Sequence, residues 1–256
     1  MTRYKSLTLL LCAALVAACD KNAVQEITGP IASARIKFFN FGVNAPQVNF
    51  YANDTKMTAI SSTTGTEATI GVAYGAAGSG GFYAAIAPGQ YTLTGKISAA
   101  TDKDLAISSV NATIADGKAY SFYMSGFYNT TSKSVEGFVV EDPVPATFDY
   151  AAAQVRFVNA ISNSNAMTLY ARNPTTGAEL PVGSAVAYKA GGAFTTVPGG
   201  VYDIVTRTAG SATNIITRTA VSFSAGRVYT VSARGDITIT STTAVNRPIL
   251  DNTANR

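Results

Sequence analysis

The chain of 256 residues contains no histidine and no tryptophan, and its two cysteines, Cys12 and Cys19, both fall within the first nineteen positions. Without imidazole, the commonest general base and the commonest transition-metal ligand are missing. Zinc sites built from cysteine and histidine are excluded for the rest of the chain. Charge is also scarce, with only 13% of residues charged, and the 19 basic side chains are scattered rather than clustered. Nucleic-acid binding therefore has no electrostatic footprint. No cofactor, no metal site and no catalytic residue is expected from this inventory.

What the chain does have is β-forming residues. Val, Ile, Thr, Tyr and Phe are abundant, there are 22 Gly, and short apolar-alternating runs are separated by Gly, Pro, Asn and Asp. Residues at helical spacing do not sustain any long run after residue 20. This pattern reads as an all-β protein.

The first residues have a separate logic. "MTRYKS" (1–6) is a short basic segment, followed by the uncharged apolar stretch "LTLLLCAALVAA" (7–18). Twelve apolar residues suit a signal-peptide core and are short for a membrane span. Val16-Ala17-Ala18-Cys19 resembles the bacterial lipobox. That resemblance implies cleavage before Cys19 and attachment of diacylglycerol to its sulfur, with Cys12 discarded. The alternative is an ordinary secretory signal or an uncleaved anchor in which the cysteine is incidental. Cleavage would also remove Arg3 and Lys5, leaving 17 basic against 15 acidic side chains. Polar residues 19–32 then read as a lipidated tether. The membrane, reached through lipid, is the expected partner, at the outer membrane or cell surface, with the inner membrane as the alternative.

Beyond the tether the sequence repeats itself. "ARIKFFNF" (34–41) matches "AQVRFVNA" (153–160), and "VNFYA" (48–52) matches "MTLYA" (167–171) at the same offset of 119. "APGQYTL" (87–93) pairs with "VPGGVYDI" (197–204), and "IADGKAYSFYMSG" (114–126) with "FSAGRVYTVSARG" (223–235). Four blocks in one order define two copies of a domain, 33–142 and 153–256, joined by a Pro-containing linker over 143–152. Each copy has the size of a Greek-key sandwich, so the expected fold is two tandem antiparallel β-sandwiches of the immunoglobulin-like or transthyretin-like kind. Tyr120 and Tyr229 stand three residues after a Gly and resemble the tyrosines that pin strand entries in such sandwiches.

As a set, the blocks resemble the bacterial cell-envelope domain known as domain of unknown function 4397. The residues that carry the resemblance are "ARIKFFNFGVNAPQVNFYAND", "APGQYTLT" and "ADGKAYSFY" in the first copy; the second copy departs from the pattern at "ISNSNAM". The resemblance implies secreted, often tandem and often lipid-anchored proteins of unassigned activity.

Few side chains invite chemistry. The glycine-rich "YGAAGSGGFY" (74–83) lacks the Lys of a phosphate loop and runs into a strand, so it reads as a hairpin connection. Asp102 and Asp104 lack the distal Gly and Glu of a calcium loop and read as a solvated turn. Glu141-Asp142 reads as a solvated strand end. Asn40 and Asn159 are polar at inward, repeat-equivalent positions and read as caps of the following turn. The aromatic focus is "YSFYMSGFY" (120–128): Tyr120, Phe122 and Met124 share one strand face, and Tyr123 and Phe127 the other. If that second face is open, Tyr123, Phe127 and Tyr128 could stack on sugar rings or a protein partner. Otherwise those rings are covered by a loop or by the neighbouring domain. The expected function is non-catalytic, a structural or binding module of the cell envelope. An adhesin-like or carbohydrate-binding module is the alternative, and a carboxylate-dependent enzyme ranks third.

Overall fold

The computed structural model describes residues 32–58, 70–147 and 149–255. The signal segment, Cys19 and nearly all of the tether lie outside the described residues. In the first repeat the described strands are β1 (Ala34–Val43), β2 (Val48–Ala52), β3 (Thr55–Lys56), β4 (Ala76–Ala77), β5 (Ala84–Ile86), β6 (Gly89–Ile97), β7 (Ala106–Ile114), β8 (Ala119–Phe127) and β9 (Gly137–Glu141). The second repeat contributes β10 (Ala152–Asn159), β11 (Met167–Arg172), β12 (Glu179–Val186), β13 (Ala190–Gly191), β14 (Thr195–Pro198), β15 (Gly200–Thr208), β16 (Ile216–Phe223), β17 (Val228–Arg234) and β18 (Ile249–Ala254).

Each repeat folds into two sheets. One has the order β3-β2-β6-β7 in the first copy and β12-β11-β15-β16 in the second. The other has the order β4-β1-β8-β9, with β5 also on β1, and its counterpart is β13-β10-β17-β18, with β14 also on β10. The expected tandem of all-β sandwiches is therefore the observed architecture. One feature departs from purely antiparallel pairing: β1 runs parallel to β8, and β10 parallel to β17. Their registers are equivalent, with Ile36 opposite Tyr120 and Val155 opposite Tyr229. Parallel partners cannot be joined by a tight turn. The rest of each repeat is the long connection that lets its first and penultimate block meet.

Period-two alternation builds each core. Ile36 and Phe38 on β1, Phe50 on β2, Leu93 on β6 and Phe122 on β8 all point into the first sandwich and are at most 3% exposed. Val155, Phe157, Leu169, Ile204 and Val231 do the same in the second, each with no exposure. Burying one such side chain is worth about 1.5–3 kcal/mol.

The same small polar devices close both copies. Asn40 Nδ2 donates to Val72 O at 2.9 Å and Pro46 O at 3.2 Å, while its Oδ1 accepts from Gly42 N at 3.3 Å. Asn159 Nδ2 donates to Ser164 Oγ at 3.0 Å and Val186 O at 3.3 Å, and its Oδ1 accepts from Ile161 N at 3.1 Å. In the second copy the Ser164 hydroxyl thus stands in for the Pro46 carbonyl. The tyrosine ties also form: Ala115 N donates to Tyr120 Oη, and Ser224 N to Tyr229 Oη, each at 3.1 Å.

These two devices differ in what their loss leaves behind. Asn40→Ala or Asn159→Ala strands buried backbone groups and is expected to cost about 1–3 kcal/mol. Tyr120→Phe or Tyr229→Phe frees a turn N–H that water can reach, so the cost is expected at about 1 kcal/mol or less. Urea unfolding of the four variants checks this order.

Candidate functional site

The outward faces of the two inner sheets do not meet solvent. β1 is buried at every position except Arg35, β8 at every position except Phe127, and β10 throughout. Side chains from those outward faces form a third apolar cluster of Phe39, Phe41, Tyr123 and Phe138 from the first repeat with Val158 and Ala160 from the second. The sandwiches are packed sheet against sheet, giving four layers with a seam in the middle.

An aromatic stack forms the centre of the seam. Tyr123 lies flat between Phe39, at 4.6 Å and 9°, and Phe138, at 5.2 Å and 18°. Offset stacks of this kind add about 0.5–1.5 kcal/mol per pair beyond area burial. The rings of the first copy rest on small groups of the second. Tyr123 Oη bonds Ser232 Oγ at 3.1 Å, and Ser125 Oγ donates to Ala160 O at 2.8 Å.

Charges line one side of the stack. Arg156 on β10 is 1% exposed and ion-pairs through Nη2 with Asp142, which is 2% exposed and follows β9. Its Nη1 donates to Glu141 O at 2.8 Å and its Nε to Thr230 Oγ1 at 3.0 Å. The other Asp142 oxygen accepts from Tyr83 Oη at 2.7 Å and Ser121 Oγ at 2.8 Å. Lys37 on β1 is likewise buried; its Nζ donates to Ala254 O at 2.6 Å and Asn255 Oδ1 at 3.0 Å, and sits 4.3 Å from the Tyr83 ring centre. On the opposite side, Arg234 of β17 pairs with Asp251 and lies over the rings of Tyr74 and Phe41. Gly75 permits that approach, because a Cβ there would stand 2.7 Å from the Arg234 guanidinium carbon.

One expectation changes here. Asp142 is not a solvated strand end: only Glu141 is exposed, paired with Lys118 at 2.9 Å, while Asp142 turns into the seam to meet Arg156. Lys37 and Arg156, which alternate with apolar residues, face the other sandwich rather than water. Tyr123 has no exposure, so a ligand cannot stack on it without parting the sandwiches. Tyr128 is half-buried against the first core, and Phe127 alone of the three is exposed, at 44%. These residues do not form a common platform. Asp102 and Asp104 do lie in an exposed turn, where Asp102 accepts from Lys133 at 2.6 Å. The glycine-rich stretch is the connection from β4 to β5, with Ser79, Gly80 and Gly81 all at positive φ. The sequence reading allows for cover of the Tyr123, Phe127 and Tyr128 rings by the neighbouring domain but does not foresee the seam's buried charges. The signal for the cover was Phe39, Phe41 and Tyr123, apolar on the face opposite a complete core face.

The fold and seam define a tandem sandwich protein in which two homologous β domains are fused through their inner sheets. The profile of the domain of unknown function (DUF4397) matches residues 34–170 and again 153–255, and the chain belongs to that family. No curated protein matches it. Among solved structures it is similar to a leucine-rich repeat protein from Bacteroides thetaiotaomicron, at 11% identity and TM-score 0.20. That match covers 80% of this chain and spans about a quarter (26%) of that one. It is also similar to a Bacteroides fragilis protein described, provisionally, as a cell adhesion protein, at 9% identity and TM-score 0.24, covering 87% and 98% of the two chains.

Removing one partner of the buried pair leaves an uncompensated charge. Asp142→Ala is expected to destabilise the chain by about 3–5 kcal/mol, and the joint change Asp142→Leu with Arg156→Met by much less. Urea unfolding of both variants measures the difference. A second expectation concerns alkali. Burial pushes the Tyr123 phenol up to about 12, and burial raises Tyr83 and Tyr188 as well, helped by Asp142 and Glu136 respectively. A phenol whose folded pKa exceeds its unfolded value of about 10 contributes stability that is intact below pH 10 and lost as pH rises through the folded value. Stability should fall from about pH 10 to about pH 12, with the phenolate absorbance of the seam tyrosines appearing only as the chain unfolds.

Proposed function

We propose that this chain is a lipid-anchored protein of the bacterial cell envelope in which the fused sandwiches act as one rigid, non-catalytic structural or binding module. The observation that carries the module reading is the seam. Tyr123, Arg156 and Lys37 are buried between the repeats at 0–1% exposure, so the tandem behaves as a single body rather than two beads on a linker. The anchor rests on Val16-Ala17-Ala18-Cys19 behind a basic segment and a twelve-residue apolar core. Lipidation spends that sulfur, and the chain after Cys19 has neither thiol nor imidazole. Such a chain lacks the commonest nucleophile and the commonest general base of enzymatic turnover, which fits a part that holds and presents surfaces.

Two or three acyl chains anchor stably where one does not, each buried methylene adding about 0.8 kcal/mol. The outer membrane or the cell surface is the proposed location, and protease shaving of intact cells distinguishes it from the inner membrane. The decisive variant is Cys19→Ser. The parent protein should be cleaved and partition into the detergent phase, while the variant should remain uncleaved and unlipidated. A Cys19→Ser protein that is cleaved and still partitions into detergent would overturn the anchor.

A further inference from the structure

We propose that Lys37 and Asn255 are the two halves of an intramolecular isopeptide bond, Nζ to Cγ, that fastens the first strand of the chain to its last residues. Lys37 lies on β1, and Asn255 directly follows β18, so the bond would join the two repeats across the seam.

The amine and the amide are already in contact. Nζ is 3.0 Å from Asn255 Oδ1, and the two residues are 1% and 9% exposed. Holding the amine against the amide in a buried site replaces a bimolecular encounter with an intramolecular one, and attack then requires the amine to move from its hydrogen bond with Oδ1 to a position over Cγ. The amine's polar partners are two neutral oxygens, Ala254 O and Asn255 Oδ1, with the Tyr83 ring closing one side. An ammonium so placed is costly. Burial accordingly brings Lys37 down to about 8, against a partial offset from Asp142, so the free-amine form is accessible near neutral pH.

The leaving group is held as well. Asn255 Nδ2 donates to Thr230 Oγ1 at 2.7 Å, and the same oxygen accepts from Arg156 Nε at 3.0 Å. In the reaction the neutral Lys37 Nζ attacks Asn255 Cγ, the Nζ–Cγ bond forms and the Cγ–Nδ2 bond breaks. One Nζ proton passes to Nδ2, which Thr230 Oγ1 holds by accepting its hydrogen bond, and ammonia departs. Primary amine plus primary amide gives secondary amide plus ammonia, so atoms and charge balance and no oxidant or reductant is needed. Exclusion of water by Tyr83 and the opposing sheets disfavours hydrolysis of the same amide. In this reaction Thr230 touches the leaving nitrogen, and Arg156 acts through Thr230.

Tryptic digestion of the full chain isolated from membranes tests the bond. The expected product is one branched peptide containing both Lys37 and Asn255, lighter by one ammonia than its two arms combined and uncleaved after Lys37. Lys37→Arg and Asn255→Ala should each abolish it. In refolded protein the branched species should accumulate faster above the titration of the amine than well below it. Recovery of Lys37 and Asn255 in separate, unmodified peptides from folded parent protein, after days at a pH above that titration, would overturn the proposal.

Discussion

The central constraint on this structure is that the inner sheet of each repeat has two faces to bury. β1 carries Ile36 and Phe38 on one side and Phe39 and Phe41 on the other, and β8 carries Phe122 opposite Tyr123. A two-layer sandwich covers only the first set. Left alone, the first repeat would expose a continuous aromatic face, which soluble surfaces rarely tolerate. The second repeat covers it, and the four-layer stack follows. Apolar packing does not by itself fix how two flat faces slide over one another. The Arg156–Asp142 pair does, because any shift strands a buried charge. Registry, more than net stability, is what that pair contributes.

Duplication made two copies, but the seam requires that they differ. Repeat-equivalent positions on the outward faces of the inner sheets pair large with small: Phe39 against Val158, Phe41 against Ala160, Tyr123 against Ser232. Two first copies would set ring against ring in the same plane, and two second copies would leave voids whose cost grows with their volume. Inside the cores the pressure runs the other way. Asn40 and Asn159 make matching bonds, as do Tyr120 and Tyr229, because each copy must solve the same turn and the same strand entry. The repeats therefore stayed alike where each folds and diverged where they meet.

That division explains what could be read from residues alone. The duplication, the strand blocks, the Asn caps and the tyrosine ties are local or periodic, and local pattern predicts them. Parallel pairing of β1 with β8 is not written in any local pattern, since it joins residues some eighty positions apart. The charged part of the seam was hidden for a different reason. Lys37 and Arg156 alternate with apolar residues, and period-two logic assigns such positions to water. Only a partner sheet bearing Asp142 and neutral oxygens can override that assignment. The aromatic residues on the same face were the contrary signal, because a strand that is apolar on both faces is covered on both.

The position of β1 also bears on how an anchored chain would carry load. A lipid at Cys19 would pull through the tether on Ala34, the first residue of β1. That strand sits inside its sheet rather than at the edge: β8 pairs it in parallel over nine residues, and β4 and β5 pair its other side. Force entering along the strand axis acts on those hydrogen bonds together, in shear, whereas an edge strand entered from its end could be peeled one bond at a time. Both faces of β1 are buried as well, so extracting it would expose two aromatic clusters at once. The strand nearest the tether is thus among the most heavily secured in the molecule. Lys37, the fourth of its ten residues, is the point where Ala254 and Asn255, at the end of β18, are held to it.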